Sequence, residues 1–546
     1  MPDLSVLRAN ASLRSSFAEG CTLFSQALKQ PAVAQRERLL SILRRNGNCV
    51  YGRAYNLERV QSVGDFQASL PVVTYEGLRP WVERIIGGEE NVLTSDPVLL
   101  VERTSGSTTT AKYIPYTAGL FAEFQAALAP WLWNLYTTCP GLLRGTAYWQ
   151  VTPLARAPER TRGGIPIGLG AEASYFTPLQ QRALARLLSV PAEIAGVADI
   201  ESSLYVTLFF LLRDRNLSLI SVWNPSFFSI LLKHAREWSG LLVRDIHDGV
   251  IRRIHLPPTI ARTQLASPQR AEKVETCLSE AHMKLTDLWP QLSVVSCWGD
   301  AEAAPEFQLL ERRFPDVAFQ RKGLLATEGV ITIPRAGAAN IAAILSHFLE
   351  FLDDQGRPHL VHELEQGAEY SVVMTTSGGL WRYRLGDRVR VTGFLRRAPL
   401  LEFVGKEDGV CDLRGEKLNP AFAGSVLREL RRELLLPVGF AMLAPSRTPE
   451  AGYLLLVGQS APATLATALD NKLRANPQYA YARDLGQLSA PRVITCGPNA
   501  AERYLERCIF LGQRAGDVKP TSLHLAEGWE DWFLAPGKAN IERMRA

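Results

Sequence analysis

The 546-residue sequence contains no Cys-x-x-Cys pair; its eight cysteines stand singly. That argues against both a zinc site and a disulfide framework, and leaves reduced, buried thiols of a cytoplasmic protein as the expectation. A Walker loop is missing too, because no Gly-x-x-x-x-Gly-Lys-[Ser/Thr] spacing occurs. So is the Gly-x-Ser-x-Gly elbow, which leaves a serine hydrolase without an anchor. His359-x-x-His362-Glu363 does not match His-Glu-x-x-His and falls in an expected strand, so it is read as structural. Charge of one sign is scarce: Lys+Arg of 60 against Asp+Glu of 55 leaves +5, spread along the chain. Without a basic tract interleaved with aromatics, nucleic acid is not implied. Apolar runs such as Leu204 to Leu212 are too short to span a bilayer, so no membrane association is expected. Met1-Pro2-Asp3-Leu4-Ser5 lacks a basic region followed by an apolar core, so no secretory signal is expected. No repeat, low-complexity segment or mark of an obligate protein partner is evident.

What is present reads as an α/β protein. Hydrophobic content of 47% and charged content of 21% are ordinary for a globular chain long enough for two or more domains. Residues 1 to 95 read as mainly helical. From Leu292, short apolar runs separated by glycines alternate with helical stretches, as an α/β core requires. After Gly405 the pattern restarts as a compact α+β unit. The expected division is a large N-terminal domain over 1–405 and a small C-terminal domain over 406–546.

Four stretches carry chemistry. The apolar run Val98 to Val101 reads as a buried strand, and Thr104-Ser105-Gly106-Ser107-Thr108-Thr109 leaves its end, with Lys112 beyond. Hydroxyls and backbone N–H groups around a glycine can donate to phosphate oxygens, and the lysine adds charge. Thr117 is placed to cap a following helix through Phe121, Phe124, Leu128 and Trp131. Second, Thr327 and Glu328 occupy a glycine-bounded turn between expected strands, suited to phosphate and Mg²⁺. Third, Asp387 follows a Leu-Gly turn and suits the two hydroxyls of a ribose; Arg382, Arg384 and Arg388 nearby can equally be one solvated basic edge. Fourth, the glycines and charges from Phe403 to Leu418 suit a hinge. Lys519, in Gly516-Asp517-Val518-Lys519-Pro520, has no role by itself. The tryptophans are core candidates, with Trp149, Trp223 and Trp298 beside strand ends and able to line an apolar substrate pocket.

Taken in order, these stretches resemble the acyl-acid amido synthetases first known from plant auxin responses (the Gretchen Hagen family), and its bacterial members especially. The likeness runs through Thr104 to Pro115, Gly164-Ile165-Pro166-Ile167-Gly168, Ser221-Val222-Trp223-Asn224-Pro225, Lys322 to Gly329, Trp381 to Phe394, the hinge and Lys519. The family belongs to the acyl-adenylate-forming superfamily that includes firefly luciferase. The resemblance implies a large N-terminal adenylate-forming α/β domain and a small α+β C-terminal domain that rotates between half-reactions. It implies ATP and Mg²⁺ as cofactors, and a small carboxylic acid and an amino acid or other amine as substrates. By the same resemblance Thr104, Ser105, Gly106, Ser107, Thr108 and Thr109 hold the ATP phosphates, and Gly299, Asp300 and Ala326 border adenine. Thr327 and Glu328 serve phosphate and metal, Asp387 the ribose, and Lys519 the reacting carboxylate and α-phosphate. Two departures stand out. Lys406 occupies a position usually held by arginine in the superfamily, which removes a bidentate contact. Leu325-Ala326 replaces the usual aromatic before Thr327-Glu328, so adenine stacking must come from elsewhere. Thioester formation with coenzyme A through the same adenylate, or nucleotide binding without turnover, are the alternatives.

Overall fold

In the computed structural model, four apolar runs pair as a parallel sheet in the order Thr146–Trp149, Leu217–Ser221, Val294–Cys297 and Ala318–Arg321. Described residues are 4–103, 112–150, 159–168, 175–197, 199–252, 265–335, 339–407, 411, 413–414, 416, 418–437, 439–447, 449–513 and 518–534. Every residue of Leu217–Ser221 and Val294–Cys297 is buried, which is why these strands read as continuous apolar runs rather than alternating ones. A further parallel bridge, Ala147 to Leu188, adds a segment outside the first strand. Numbered along the chain, the spatial order is therefore 2-1-3-4-5, and the order reverses between Thr146–Trp149 and Leu217–Ser221. Ligands of open α/β sheets bind outside the carboxyl ends of the strands at such a reversal.

A second sheet of seven strands runs in the order Thr332–Ile333, Ile341–Ala342, Ala398–Lys406, Tyr383–Leu395, Glu369–Thr375, Phe348–Leu352 and Pro358–Leu360. Tyr383–Leu395 pairs antiparallel with Glu369–Thr375, and the register shifts between Ser371 and Val373. Where the sequence suggests a Leu-Gly turn before Asp387, the structure has this bulge inside a 13-residue strand, with Gly386 at φ +82°. A bulge bends its strand and re-aims the side chain it carries, here Asp387. A third sheet contains the hairpin Leu100–Arg103 with Tyr113–Tyr116, whose last pair is Arg103 opposite Tyr113. Residues 104–111, which include the hydroxyl stretch, lie outside the described set. Thr117 caps the helix Ala118–Thr138 as expected, its Oγ1 accepting from Leu120 N at 3.2 Å.

The chain divides into two compact units, 1–298 with 310–403, and 299–309 with 404–546. The passage between them falls within the strand Ala398–Lys406. Sequence offers no reason to separate Gly299–Leu309 from its neighbours.

The second unit is built on Ala441–Ser446, Gly452–Val457 and Arg492–Thr495, joined antiparallel and then parallel. Leu443 and Leu455 lie in one apolar cluster, while Met442, Ala444 and Leu456 lie in another. The alternation assigns the clusters to opposite faces, and burial of both explains the unbroken run Tyr453 to Val457. Buried Glu416 accepts Leu413 N at 2.8 Å and Arg414 N at 2.7 Å and is bonded by Tyr453 Oη, which holds the backbone at Leu413 and Arg414.

His524, buried in the same unit, sets a pH limit. Its Nδ1 accepts Ala526 N at 3.0 Å and its ring meets Trp529 edge-on at 4.9 Å. Burial, with Arg507 adding to it, lowers its pKa to about 4. The unfolded chain, near the ordinary value of about 6.5, therefore takes up the proton first as pH falls. The stabilisation is complete above pH ~6.5 and is lost progressively down to about pH 4. Between pH 7 and 5 the parent is expected to lose about 2 kcal/mol more stability than His524→Gln. Equal losses in denaturant titrations at the two pH values would refute this.

Candidate active site

Thr327 and Glu328 form a two-residue turn between the short strands Leu325–Ala326 and Gly329–Val330, paired antiparallel. The turn is held from two sides. Tyr116 Oη, at the end of the hairpin that carries the hydroxyl stretch, donates to Thr327 O at 2.6 Å. Tyr383 Oη donates to Glu328 Oε1 at 3.3 Å, and Tyr383 begins the strand that bears Asp387. Both tyrosines are fully buried, and Glu328 and Asp387 are 7% and 3% exposed. Burial, a contact to Tyr175 Oη at 3.2 Å, and the charges of Glu102 and Glu328 push the Tyr116 hydroxyl well above its usual pKa. It therefore stays protonated and remains a donor.

The Thr327–Glu328 turn is thus bonded by one residue from the hairpin on either side of the hydroxyl stretch in sequence and by one from the strand that bears Asp387. Glu102, buried at 5%, lies diagonally beside Tyr116 on the same face of the hairpin, since Glu102 pairs with Ile114 and Leu100 with Tyr116. Neither Glu102 nor the two tyrosines is marked by a motif. The signal available was only their place next to one: Glu102 precedes Arg103-Thr104, and Tyr383 precedes Arg384-Leu385-Gly386-Asp387.

Arg382 does not belong to a solvated edge. It is 4% exposed, and its guanidinium forks onto Glu350 at 3.0 and 2.8 Å and reaches Gln67 O at 3.1 Å and Leu70 O at 2.6 Å. Arg384 is exposed, and Arg388 pairs with Asp354 at 2.9 Å. His359 likewise is structural, with Nε2 3.2 Å from Asp353.

Trp149, Trp223 and Trp298 stand at the carboxyl ends of three adjacent parallel strands, the first two on either side of the order reversal. Trp149 packs edge-on against Trp131 at 6.3 Å and Phe176 at 6.1 Å. Trp298 N donates to Trp223 O at 2.9 Å, and its ring meets Phe403 at 5.4 Å. Buried Lys322 places Nζ 4.5 Å from the Trp223 ring centroid, a cation–π contact at the end of the fourth strand. Asn224 caps Pro225–Glu237 through Ser226 N at 2.9 Å.

Four of the remaining candidates, Gly299, Asp300, Lys406 and Lys519, lie in the second unit. Gly299 and Asp300 are buried and lead into a short 3₁₀ turn, and Ala301 holds φ +47°, a strained conformation for a residue with a Cβ. Lys406 and Lys519 are exposed, and Lys519 O accepts from buried Tyr504 Oη at 2.7 Å. Ala326 is half-buried. The hydroxyl residues Thr104, Ser105, Gly106, Ser107, Thr108 and Thr109 lie outside the described residues.

Residues 21–319 match the GH3 family N-terminal domain and residues 341–406 the GH3 family central domain. The chain belongs to the GH3 family. It is 25% identical over 428 residues to the indole-3-acetic acid-amido synthetase GH3.2 of Arabidopsis thaliana, covering 72% of this chain and 77% of that protein. The structure of AtGH3.15 acyl acid amido synthetase in complex with 2,4-DB superposes with a TM-score of 0.83 at 20% identity, over 95% of this chain and 96% of that one. A 2-hydroxyisobutyryl-CoA ligase in its postadenylation state shares the fold more distantly, with a TM-score of 0.53 at 14% identity over 93% and 91%. The architecture is thus that of adenylate-forming enzymes, as the resemblance in sequence implied. Among the described residues no helix is long and apolar enough to cross a membrane.

Proposed function

We propose that this GH3 protein is an ATP-dependent, AMP-forming acyl acid amido synthetase, which joins a small aromatic or apolar carboxylic acid to an amino acid. The observation that carries the reading is the meeting at Glu328. A buried carboxylate on a tight turn is held by Tyr383, from the strand bearing Asp387, and the same turn is held by Tyr116, from the hairpin bearing the hydroxyl stretch. Mg²⁺ in nucleotide sites takes one or two carboxylates and completes its shell with phosphate and water oxygens. Glu328 fits that demand, and no group of three metal-binding side chains gathers among the described residues to suit a metal held by protein alone.

In the first half-reaction a carboxylate oxygen of the acid bonds to the α-phosphorus of ATP and the bond to pyrophosphate breaks. Thr104 to Thr109 hold the phosphates, Gly299, Asp300 and Ala326 border adenine, Asp387 takes the ribose hydroxyls, and Thr327 and Glu328 serve the phosphates and the metal. The metal supplies neutralisation of phosphate charge. Trp149, Trp223 and Trp298 hold the acid at the carboxyl ends of the parallel strands. In the second half-reaction the amine nitrogen attacks the activated carbonyl, AMP leaves with the C–O bond electrons, and the amine gives up its proton to solvent. Displacement at phosphorus asks for positioning and charge neutralisation more than for acid–base groups. Lys519 of the C-terminal domain reaches the reacting carboxylate and α-phosphate, Lys406 adds a second cation to the nucleotide site, and rotation of that domain separates the two steps.

Pyrophosphate exchange over a panel of carboxylic acids, then mass spectrometry with pooled amino acids and coenzyme A, tests the assignment. AMP and pyrophosphate are the expected products, with an amide as the conjugate; stoichiometric ADP would overturn the adenylate reading, and a thioester would move the enzyme to the coenzyme A ligases. Glu328→Gln keeps the acceptor for Tyr383 but removes the charge that draws a divalent cation. It is expected to lose Mg²⁺-dependent adenylation with little change in melting temperature. Parental activity and parental Mg²⁺ dependence in this variant would remove Glu328 from the site.

A further inference from the structure

The buried pair Glu123 and His347 lies behind the Thr327–Glu328 turn and is marked by no motif. Both residues are enclosed, at 1% and 0% exposure. Glu123 projects from the helix Ala118–Thr138, and His347 immediately precedes the strand Phe348–Leu352. His347 Nδ1 is 2.8 Å from Glu123 Oε2, and Val330 N donates to His347 Nε2 at 2.9 Å. Because a backbone N–H can only donate, Nε2 is the accepting nitrogen, so the ring proton sits on Nδ1 and is given to the carboxylate. The remaining capacity of Glu123 is filled by Ser377, through its N at 3.1 Å from both oxygens and its Oγ at 2.6 Å. Ser346 Oγ donates to Glu123 O at 2.9 Å, which fixes the residue next to the ring.

These bonds register the pieces that surround Glu328. Val330 is two residues beyond Glu328, and Ser377 lies on the segment leading to the strand that carries Tyr383 and Asp387. Glu123 sits on the helix that begins two residues after the hairpin ends at Tyr116. Gly329 shows how close the imidazole comes: a Cβ there would stand 2.4 Å from His347 Nε2 and 2.4 Å from Met374 Cε. Only glycine leaves the ring room to reach the next residue's amide. Burying a carboxylate and an imidazole in an apolar core is unfavourable unless each polar atom is satisfied, and a satisfied buried network fixes one geometry.

We propose that His347, oriented by Glu123, is a positioning residue that holds the Thr327–Glu328 turn so that the Glu328 carboxylate meets the metal and phosphates. The proposal rests on the role given to Glu328 above. Two substitutions separate the two ends of the ring. His347→Asn leaves an amide near the Nδ1 position, facing Glu123, but nothing to accept from Val330 N–H. His347→Gln leaves an amide oxygen near the Nε2 position and gives up the bond to Glu123. Hydrogen exchange by mass spectrometry of peptides covering 323–333, and Mg²⁺ titration of pyrophosphate exchange, are the readouts.

The Asn variant is expected to exchange faster in that peptide and to need about three- to tenfold more Mg²⁺ for half-maximal activity, the scale of one lost hydrogen bond. The Gln variant keeps the acceptor for Val330 N–H but not its orientation by Glu123, and is expected to be affected clearly less than the Asn variant in both, although both variants melt earlier. Equal behaviour of the two, whether both parental or both impaired, overturns the proposal. If neither is soluble, Glu123→Gln replaces them. It loosens the Nδ1 anchor without touching the ring, and faster exchange with a raised Mg²⁺ requirement supports the proposal while parental values refute it. Should Glu328 itself have no part in metal binding, Glu328→Gln keeps parental Mg²⁺ dependence while the exchange contrast between the Asn and Gln variants persists, so the two failures are told apart.

Discussion

Replacing Lys519 by alanine is expected to slow pyrophosphate exchange by roughly 10²–10³ while leaving the conversion of synthetic acyl-adenylate to amide near the parental rate. The asymmetry follows from where charge changes. In the first half-reaction an anionic carboxylate approaches a polyanionic triphosphate, and an ammonium between them offsets both. In the second, a neutral amine attacks a mixed anhydride, where a cation contributes little. The Lys519 side chain is exposed, and its carbonyl accepts from Tyr504 Oη at 2.7 Å, a bond that alanine retains. Tyr504 is itself locked by stacking on Trp529 at 5.4 Å. Loss in both half-reactions to the same degree would make Lys519 structural or leave no rotation to separate the steps. A variant undiminished in both would put Lys519 outside the site. Tyr504→Phe removes the bond to the carbonyl, together with the hydroxyl's contact to Cys508, and is the natural control, with a smaller loss confined to the same half-reaction.

The parts of this architecture that were legible in sequence are those carried by local pattern. Leu217 to Val222 stands out as an apolar run because both faces of the strand there are buried and every residue is apolar or small, and Thr117 announces a helix because its hydroxyl meets an amide three residues on. Trp149, Trp223 and Trp298 could be set at strand ends for the same reason. What stayed hidden depends on partners far along the chain. Arg382 reads as one of three basic residues on an edge, since nothing near it hints at Glu350, 32 positions away, or at the carbonyls of Gln67 and Leu70, more than 300 away. Glu123 and His347 are 224 positions apart and look like an ordinary surface acid and a stray histidine. Gly386 reads in sequence as part of a Leu-Gly turn, but a turn and a bulge ask the same positive φ of glycine. Only the pairing with Ser371 and Val373 distinguishes them. The stretches proposed to hold nucleotide therefore stand out in sequence as an ordered set rather than one by one, and the tyrosines that bond the Thr327–Glu328 turn do not stand out.

The largest stability effect is expected at Arg382. Its guanidinium is nearly enclosed, forks onto Glu350 (1% exposed), and donates through Nη1 to two backbone carbonyls of the helix and turn around Gln67 and Leu70. Gln67 Nε2 completes the cluster with a bond to Glu350 Oε1 at 2.9 Å. The backbone supports the same arrangement from a strained position. Arg382 holds φ +40°, and the bonds Val73 N to Arg382 O at 3.0 Å and Arg384 N to Val73 O at 2.8 Å fix the chain there. Removing one member of a buried, hydrogen-bonded ion pair leaves the other charge unpaired in a low dielectric, which costs about 3–5 kcal/mol. Arg382→Ala should therefore lower the stability of the N-terminal unit by about that amount in a denaturant titration. Arg382→Lys should recover little of it, because a single ammonium cannot fork onto Glu350 and also reach both carbonyls. Glu350→Gln separates charge from shape. The amide still accepts from the guanidinium, but the cation is left without a counter-charge, so a loss approaching that of Arg382→Ala is expected. The double variant Glu350→Gln with Arg382→Ala should fall well short of the sum of the two single losses, since the second change removes a charge that the first has already orphaned. Additive losses, or an Arg382→Lys protein as stable as the parent, would mean that the pair is solvated in solution and that the strained conformation at 382 is upheld by the Val73 bonds alone.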